Sequence, residues 1–347
     1  MGFELSCPIP INKYPVITLA HGSGGTLSHQ LISDMFLPAF DNELLSAAHD
    51  GAIFHQGEGI LAVTTDSFVV RPVFFPGGCI GDLAVNGTVN DLACCGADPV
   101  YLTAGFILEE GLKMEELWEI VLAMKKAAGT AGVKIISGDT KVVERGSGDK
   151  IFINTTGIGR VYRGIDINPR NCTPGDSIII SGTIADHGVA VMSARSGLEF
   201  ETSMESDSAA LNGLCATVFE KTKNIHVLRD PTRGGIASTL NEICRSSGTG
   251  MLLYEDRLPV ADEVRGACEI LGLDPPYIAN EGKMLFILPE KEAGTVLDIL
   301  HGHHLGKNAA LIGTVTEDYR GILRMKTSIG STRMVDMIAG EQLPRIC

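Results

Sequence analysis

The chain has 347 residues, 44% of them hydrophobic and 20% charged, with a formal net charge of −14. That is a globular profile on a chain longer than one core usually fills, so two domains are expected, and the negative balance disfavours nucleic acid as a partner. Nine cysteines without a repeating spacing do not describe a disulfide scaffold and fit a reducing cytoplasm, while no apolar run is long enough for a membrane helix and the opening MGFELSCPIP lacks the features of a signal peptide.

The first feature along the chain is HGSGGT (21–26), a Gly-rich arm able to close over phosphates, with Gly24 and Gly25 at its centre. HDGA places Asp50 before a strand read from ILAVTT (60–65), and TTDSF places Asp66 at that strand's end. A Gly/Ala-rich helix over 81–95 carries Asp91, and a strand follows at 100–108. A helix over 114–131 repeats Leu117, Ile120, Val121 and Met124 at helical spacing, with Trp118 expected to pack and Lys125 and Lys126 near the cation-favouring end. A strand at 133–137 runs into SGDTK with Asp139, and another spans 151–161.

Two prolines and a glycine in NPRNCTPGDS (168–177) read as a break, giving expected domains 1–168 and 169–340. Beyond it come a strand at 177–182 and helices at 188–196 and 206–221. A third helix follows RDPTRGG, the motif with Asp230 and Arg233. The strand MLLYE, a helix at 260–271, a strand at 284–289 and a helix at 290–301 complete the pattern. Both halves are α/β.

One aspartate at a strand end is ordinarily a turn or a cap. Five of them, Asp50, Asp66, Asp91, Asp139 and Asp230, suit a hard cation that bridges phosphates. The Arg and Gly pairs of RDPTRGG, set just before a helix, favour an anion. No Walker-type loop is present and GIGRVYRG is not a dinucleotide fingerprint, so any ATP is bound in another way. HGHH (301–304) has no spaced cysteine or carboxylate to complete a metal site. The last residue, Cys347, is on position alone an exposed end with no assigned role.

GSGG, TTDSFVVRPVFFPGG, IGDLAVNGTVNDLACCGADP, ILEEG, SGDTKVV, FINTTGIG, RDPTRGG, NEGK and the terminal LPRIC together span nearly the whole chain. In these motifs the sequence resembles the hydrogenase maturation factors of the HypE family. They are the carbamoyl dehydratase branch of an ATP-binding superfamily that includes aminoimidazole ribonucleotide synthetase and selenophosphate synthetase. The resemblance implies a two-domain PurM-like α/β fold: an N-terminal ATP-binding and dimerisation domain (1–168), a C-terminal α/β domain (169–340) and a flexible tail (341–347). It implies a homodimer whose N-terminal domains join their sheets, with ATP and Mg²⁺ near the interface.

In such a protein a HypF-like carbamoyltransferase loads a carboxamide onto the terminal sulfur. ATP-driven dehydration turns it into a thiocyanate, and the cyano group passes to iron on HypC and HypD for a nickel-iron hydrogenase. The resemblance assigns Cys347 as carrier, Glu281 as base and Lys141 as cation. Gly24, Gly25, Asp50, Asp66, Asp91, Asp139, Thr140, Asn154, Asp230 and Arg233 become nucleotide-site residues, with the metal on Asp66, Asp91 and Asp230. One departure is Cys79, where relatives often carry Asp; it removes an acidic group expected at the edge of the site. Two alternatives stay open: another phosphoryl-transfer enzyme of the superfamily, such as a selenophosphate synthetase, and a nucleotide-gated carrier that leaves the chemistry to its partners.

Overall fold

The computed structural model describes residues 18, 21, 25–36, 39, 42, 44, 49, 51–57, 59–197, 204–337 and 345–347. After a short helix α1 (Thr26–Leu31), the chain forms β1 (Ala52–Gln56), β2 (Gly59–Phe68) and the small hairpin β3 (Phe74–Phe75) and β4 (Gly78–Cys79). Then follow α2 (Ile80–Cys94), β5 (Ala97–Glu109), α3 (Met114–Ala131), β6 (Lys134–Val143) and β7 (Ile151–Val161). The larger strands make a five-stranded sheet in the order β1-β2-β7-β5-β6, antiparallel except for the β5/β6 pair that α3 connects. Period-two alternation on β7 turns Ile151, Ile153 and Thr155 inward and leaves Asn154 on the opposite face, opposite Ser67 of β2.

Helix α2 is the central support. Thirteen of its fifteen residues are buried, and the two that escape full burial are Asp82 and Asp91. A side chain at Gly81 would put a Cβ 2.3 Å from the Ile120 carbonyl, so glycine there sets the close crossing of α2 and α3. Cys79 caps α2: its Sγ accepts the Gly81 N–H at 3.3 Å, and Asp82 Oδ1 accepts the Cys79 N–H at 2.7 Å. Its neighbours are therefore the cap residues, and Cys79 serves the helix rather than the edge of a charged site.

The second sheet is built from β8 (Asp176–Ile180), β9 (Val227–Arg229), β10 (Gly250–Tyr254), β11 (Leu285–Pro289), β12 (Ala310–Thr316), β13 (Leu323–Lys326) and β14 (Thr332–Met334). Their order is β14-β13-β10-β12-β8-β11-β9. Interspersed are α4 (Asp186–Ser196), α5 (Asn212–Lys221), α6 (Gly235–Ser247), α7 (Asp262–Leu271) and α8 (Glu290–Gly302). Central β8 is buried on both faces: Ile178 and Ile180 join one core and Ile179 the other, so its sequence reads as an unbroken apolar run.

Three expectations change, and five strands go unread in the sequence. The helix expected over 206–221 begins only at Asn212, because residues 208–211 bond to side chains of α2 instead of closing helical turns. Asn86 Nδ2 donates to Ser208 Oγ at 3.0 Å, Asn90 Nδ2 to the Ala209 carbonyl at 3.0 Å, and Leu211 N–H to Asn90 Oδ1 at 2.8 Å. Trp118 is 61% exposed rather than packed. Short strands β1, β9, β12, β13 and β14 carry no clear alternation in the sequence. The end of the chain is not an exposed tail: Ile346 is 2% exposed and belongs to the core beneath the first sheet. Among the described residues no helix is long and apolar enough to cross a membrane.

Candidate active site

Two loops are locked together to form the site. In RDPTRGG, Gly234 and Gly235 both lie in the left-handed region (φ +79° and +59°), and a Cβ on Gly235 would stand 2.5 Å from the Pro276 carbonyl. Only glycine allows the chain to turn here into α6 at such close quarters. The Asn280 side chain donates to the Pro231 carbonyl at 2.9 Å, as does its own N–H at 3.1 Å, tying this loop to NEGK. Asp207 then brackets NEGK: one oxygen accepts the Glu281 N–H at 3.0 Å and the other pairs with Lys283 at 2.9 Å.

The result brings Asp230, Arg233 and Glu281 beside Asp66 at the end of β2, with Cys347 among them. Glu281 is 2% exposed, and its Oε1 has no hydrogen-bond partner. Burial, followed by the charges of Asp230, Asp207 and Asp66, pushes its carboxyl well above the usual range; Arg233 opposes the shift. Asp66 is also raised by burial and drawn back by Arg233. The Arg233 guanidinium is held charged by Cys347 first, then by Asp66, Glu281 and Asp91. The Cys347 thiol is pushed up to about 12 by burial, with Glu281, Asp66 and Asp230 adding to the rise and Arg233 opposing it. The Arg345 guanidinium pairs with Asp149 and donates to the Val69 carbonyl at 2.9 Å.

The remaining expected residues divide by position. Thr64 Oγ1, on the same face of β2 as Asp66, donates to Asp91 Oδ2 at 2.9 Å, whereas Asn154 Nδ2 donates to the Asp66 carbonyl at 2.9 Å and to Ser67 Oγ at 3.0 Å on the opposite face of the sheet, away from the Asp66 carboxylate. Asp139, Thr140 and Lys141 lie on β6, whose residues are exposed almost throughout, and Lys141 pairs with Asp139 at 2.6 Å. In this chain the cation beside Glu281 and Cys347 is Arg233. Gly25 is buried just ahead of α1, while Gly24 and Asp50 lie outside the described residues.

Among the described residues no three carboxylate, imidazole or thiol groups converge as a ready-made metal cluster. Asp66, Asp91 and Asp230 suit a hydrated cation instead, one that takes one or two carboxylates and fills its shell with water and phosphate oxygens. The histidines of HGHH stack, with His303 and His304 rings 4.5 Å apart, and hold no such group. Residues that sequence reasoning missed are Asn90, Asp207, Asn280 and His187, all polar groups with no periodic signal. Asn90 and Asn280 lie inside quoted motifs beside the residues that were chosen, whereas Asp207 and His187 lie outside any motif.

The chain matches the AIR synthase related protein family, its N-terminal domain over residues 48–161 and its C-terminal domain over 173–326. It is 51% identical over 340 residues to carbamoyl dehydratase HypE of Cupriavidus necator, covering 97% of each chain. Two solved structures are 49% identical to it. One is a HypE–HypF complex, with a TM-score of 0.85 over 89% of this chain and 99% of that one. The other is the hydrogenase maturation protein HypE in complex with ATP, with a TM-score of 0.81 over 96% and 100%. With that identity along nearly its whole length, the two AIR synthase related domains and an acidic site that closes on its own Cys347, the chain belongs to the HypE family.

Proposed function

We propose that this protein is an ATP-dependent carbamoyl dehydratase acting on its own Cys347, converting an S-carboxamide into a thiocyanate that supplies cyanide to the iron of a nickel-iron hydrogenase. The observation that carries this reading is the docked tail, its Cys347 carbonyl bonded to the Val69 N–H and its Ile346 carbonyl to His187, which holds Cys347 within the field of the buried Glu281 carboxyl and Arg233. A carboxamide oxygen is a poor leaving group. Its attack on the γ-phosphorus of ATP releases ADP, and loss of the resulting phosphate breaks the C–O bond as two N–H protons depart and C≡N forms. Glu281, with its raised pKa and free Oε1, is the base for those protons. Arg233 faces the negative charge that develops on the transferring group. Asp66, Asp91 and Asp230 are the residues that would hold a Mg²⁺ ion, which would neutralise charge on the phosphates.

Docked, the tail is pinned through its backbone to Val69 and His187, so loading by a HypF-like carbamoyltransferase takes place with the tail withdrawn. HypC and HypD are the acceptors of the cyano group in this reading. The exposed edge strand β6, with Ile135, Ile136 and Val142 open to solvent, supports a homodimer joined along that edge. In this reading residues 1–168 form the nucleotide and dimer unit and residues 169–340 the second unit, with the cytoplasm as the compartment.

The test is the mass of the C-terminal peptide after loading by the transferase, before and after ATP is added. A loss of one water confined to that peptide is expected. ATP-dependent tightening without loss of water would favour a nucleotide-gated carrier instead.

A further inference from the structure

The backbone of the last three residues is held from two sides by groups that do not touch the Cys347 sulfur. On one side, Val69 N–H donates to the Cys347 carbonyl at 3.0 Å and Arg71 N–H to the Arg345 carbonyl at 3.2 Å. On the other side stands one helix, α4. His187 in its first turn is fully buried and places Nε2 2.8 Å from the Ile346 carbonyl. Arg195, eight residues along and so on the same face, donates Nη2 to the Arg345 carbonyl at 2.7 Å and Nε to the Arg71 carbonyl at 2.9 Å.

The hydrogen bonds fix the imidazole's state. A carbonyl only accepts, so Nε2 carries the proton and Nδ1 accepts from Ser206 Oγ at 2.8 Å, which in turn takes the Ser208 N–H at 3.1 Å. Phe75 packs edge-on against the ring at 5.5 Å, and burial holds His187 neutral. Arg345 itself sits at φ +54°, a left-handed conformation that is unfavourable for a non-glycine residue. Such a conformation persists where its surroundings over-determine it. Four hydrogen bonds to the tail carbonyls, with the Arg345 side chain's own bonds to Asp149 and the Val69 carbonyl, are a sufficient reason.

We propose that His187 and Arg195 are positioning residues forming a latch on the tail backbone: closed, it presents whatever the sulfur carries to Glu281; open, it frees Cys347 for exchange with a partner. The second half rests on the carrier reading of Cys347, whereas the latch is tested without it.

The first measurement is the rate at which iodoacetamide alkylates Cys347 in unloaded full-length protein, read from the C-terminal peptide by mass, with buried Cys215 as internal reference. Arg195→Ala should raise it about ten-fold or more, the loss expected when a charged donor is removed. His187→Leu should raise it several-fold and His187→Gln, which keeps a donor, much less. Cys215 should stay unreactive in all three. A structural role alone would raise both cysteines together and lower the melting temperature. In loaded protein the single-turnover rate of dehydration should fall in the same order, with ATP affinity unchanged.

Alkylation of Cys347 at the parent rate in Arg195→Ala overturns the latch, and that variant suffices if the His187 variants do not fold. Faster alkylation with an unchanged single-turnover rate overturns the positioning role. Failure of the loaded parent to form thiocyanate would overturn the dehydratase reading alone, since the alkylation result stands apart from it.

Discussion

Replacing Glu281 with glutamine preserves the shape of the side chain and removes its charge. As the base, Glu281 accounts for about 10²- to 10⁴-fold of the single-turnover rate, and the variant should lose that much while still accepting a carboxamide. Stability changes with a definite sign. The unfolded carboxyl titrates near the ordinary value of about 4.3, whereas burial, followed by Asp230, Asp207 and Asp66, raises the folded one well above it. Between those two values the folded state keeps a proton that the unfolded state has released, so stability falls as pH rises, by about 1.4 kcal/mol per unit. Below the unfolded value this contribution is complete; above the folded one its loss is constant.

Glutamine has no such loss. The melting temperature of Glu281→Gln relative to the parent should therefore climb as pH rises through that window, by about 2–4 °C for each kcal/mol in a unit of this size. Any unpartnered amide adds an offset that does not vary with pH. Calorimetry at a series of pH values separates the two. A difference in melting temperature that is flat with pH, or a turnover within about ten-fold of the parent, refutes the assignment of Glu281 as a strained base.

Asp230→Asn and Asp91→Asn should each weaken binding of Mg-ATP more than binding of ATP without metal, a contrast that titration calorimetry measures directly. Ile136→Asp on exposed β6 should convert a dimer into monomers in sedimentation velocity and abolish ATP turnover, and an active monomer would remove β6 from the interface. Cys347→Ser should block loading and leave ATP affinity close to that of the parent. One glycine appended after Cys347 should slow dehydration at least about ten-fold, because reacting groups must meet within about 3–3.5 Å; an unaffected rate would mean that the docked geometry of the tail is not the reactive one.

The α/β class and the larger elements were legible because long runs such as ILAVTT and the 114–131 helix repeat apolar residues at the right spacing. Strands β13 and β14 have four and three residues, too few for a period to show. The carboxylates stood out because Asp66, Asp91 and Asp230 sit among small residues in long motifs. What the spacing could not convey is which side chains answer them. Lys141 lies on an exposed edge in a single chain, while Arg233 stands within the field of Glu281 and Cys347. The polar supports Asn90, Asp207 and His187 act across more than a hundred residues of sequence or between loops, and no local pattern encodes such contacts. Trp118 shows the converse: a helical apolar repeat predicts which stripe is buried but says nothing certain about the residue beside it.

Ile346 carries a consequence of its own. An isoleucine taken fully out of water contributes about 1.5–3 kcal/mol, and this one must return to water each time the tail leaves. From that side chain alone, the withdrawn state is disfavoured by about 10- to 150-fold, so only about one molecule in ten to one in a hundred and fifty offers its sulfur at any moment. A partner that captures the withdrawn tail binds more weakly by the same factor unless it gives the isoleucine an apolar slot of its own. The penultimate residue thus acts as a toll on traffic in both directions. It keeps an uncharged sulfur out of reach of stray electrophiles, and it makes the identity of the visitor depend on who can shelter one branched side chain.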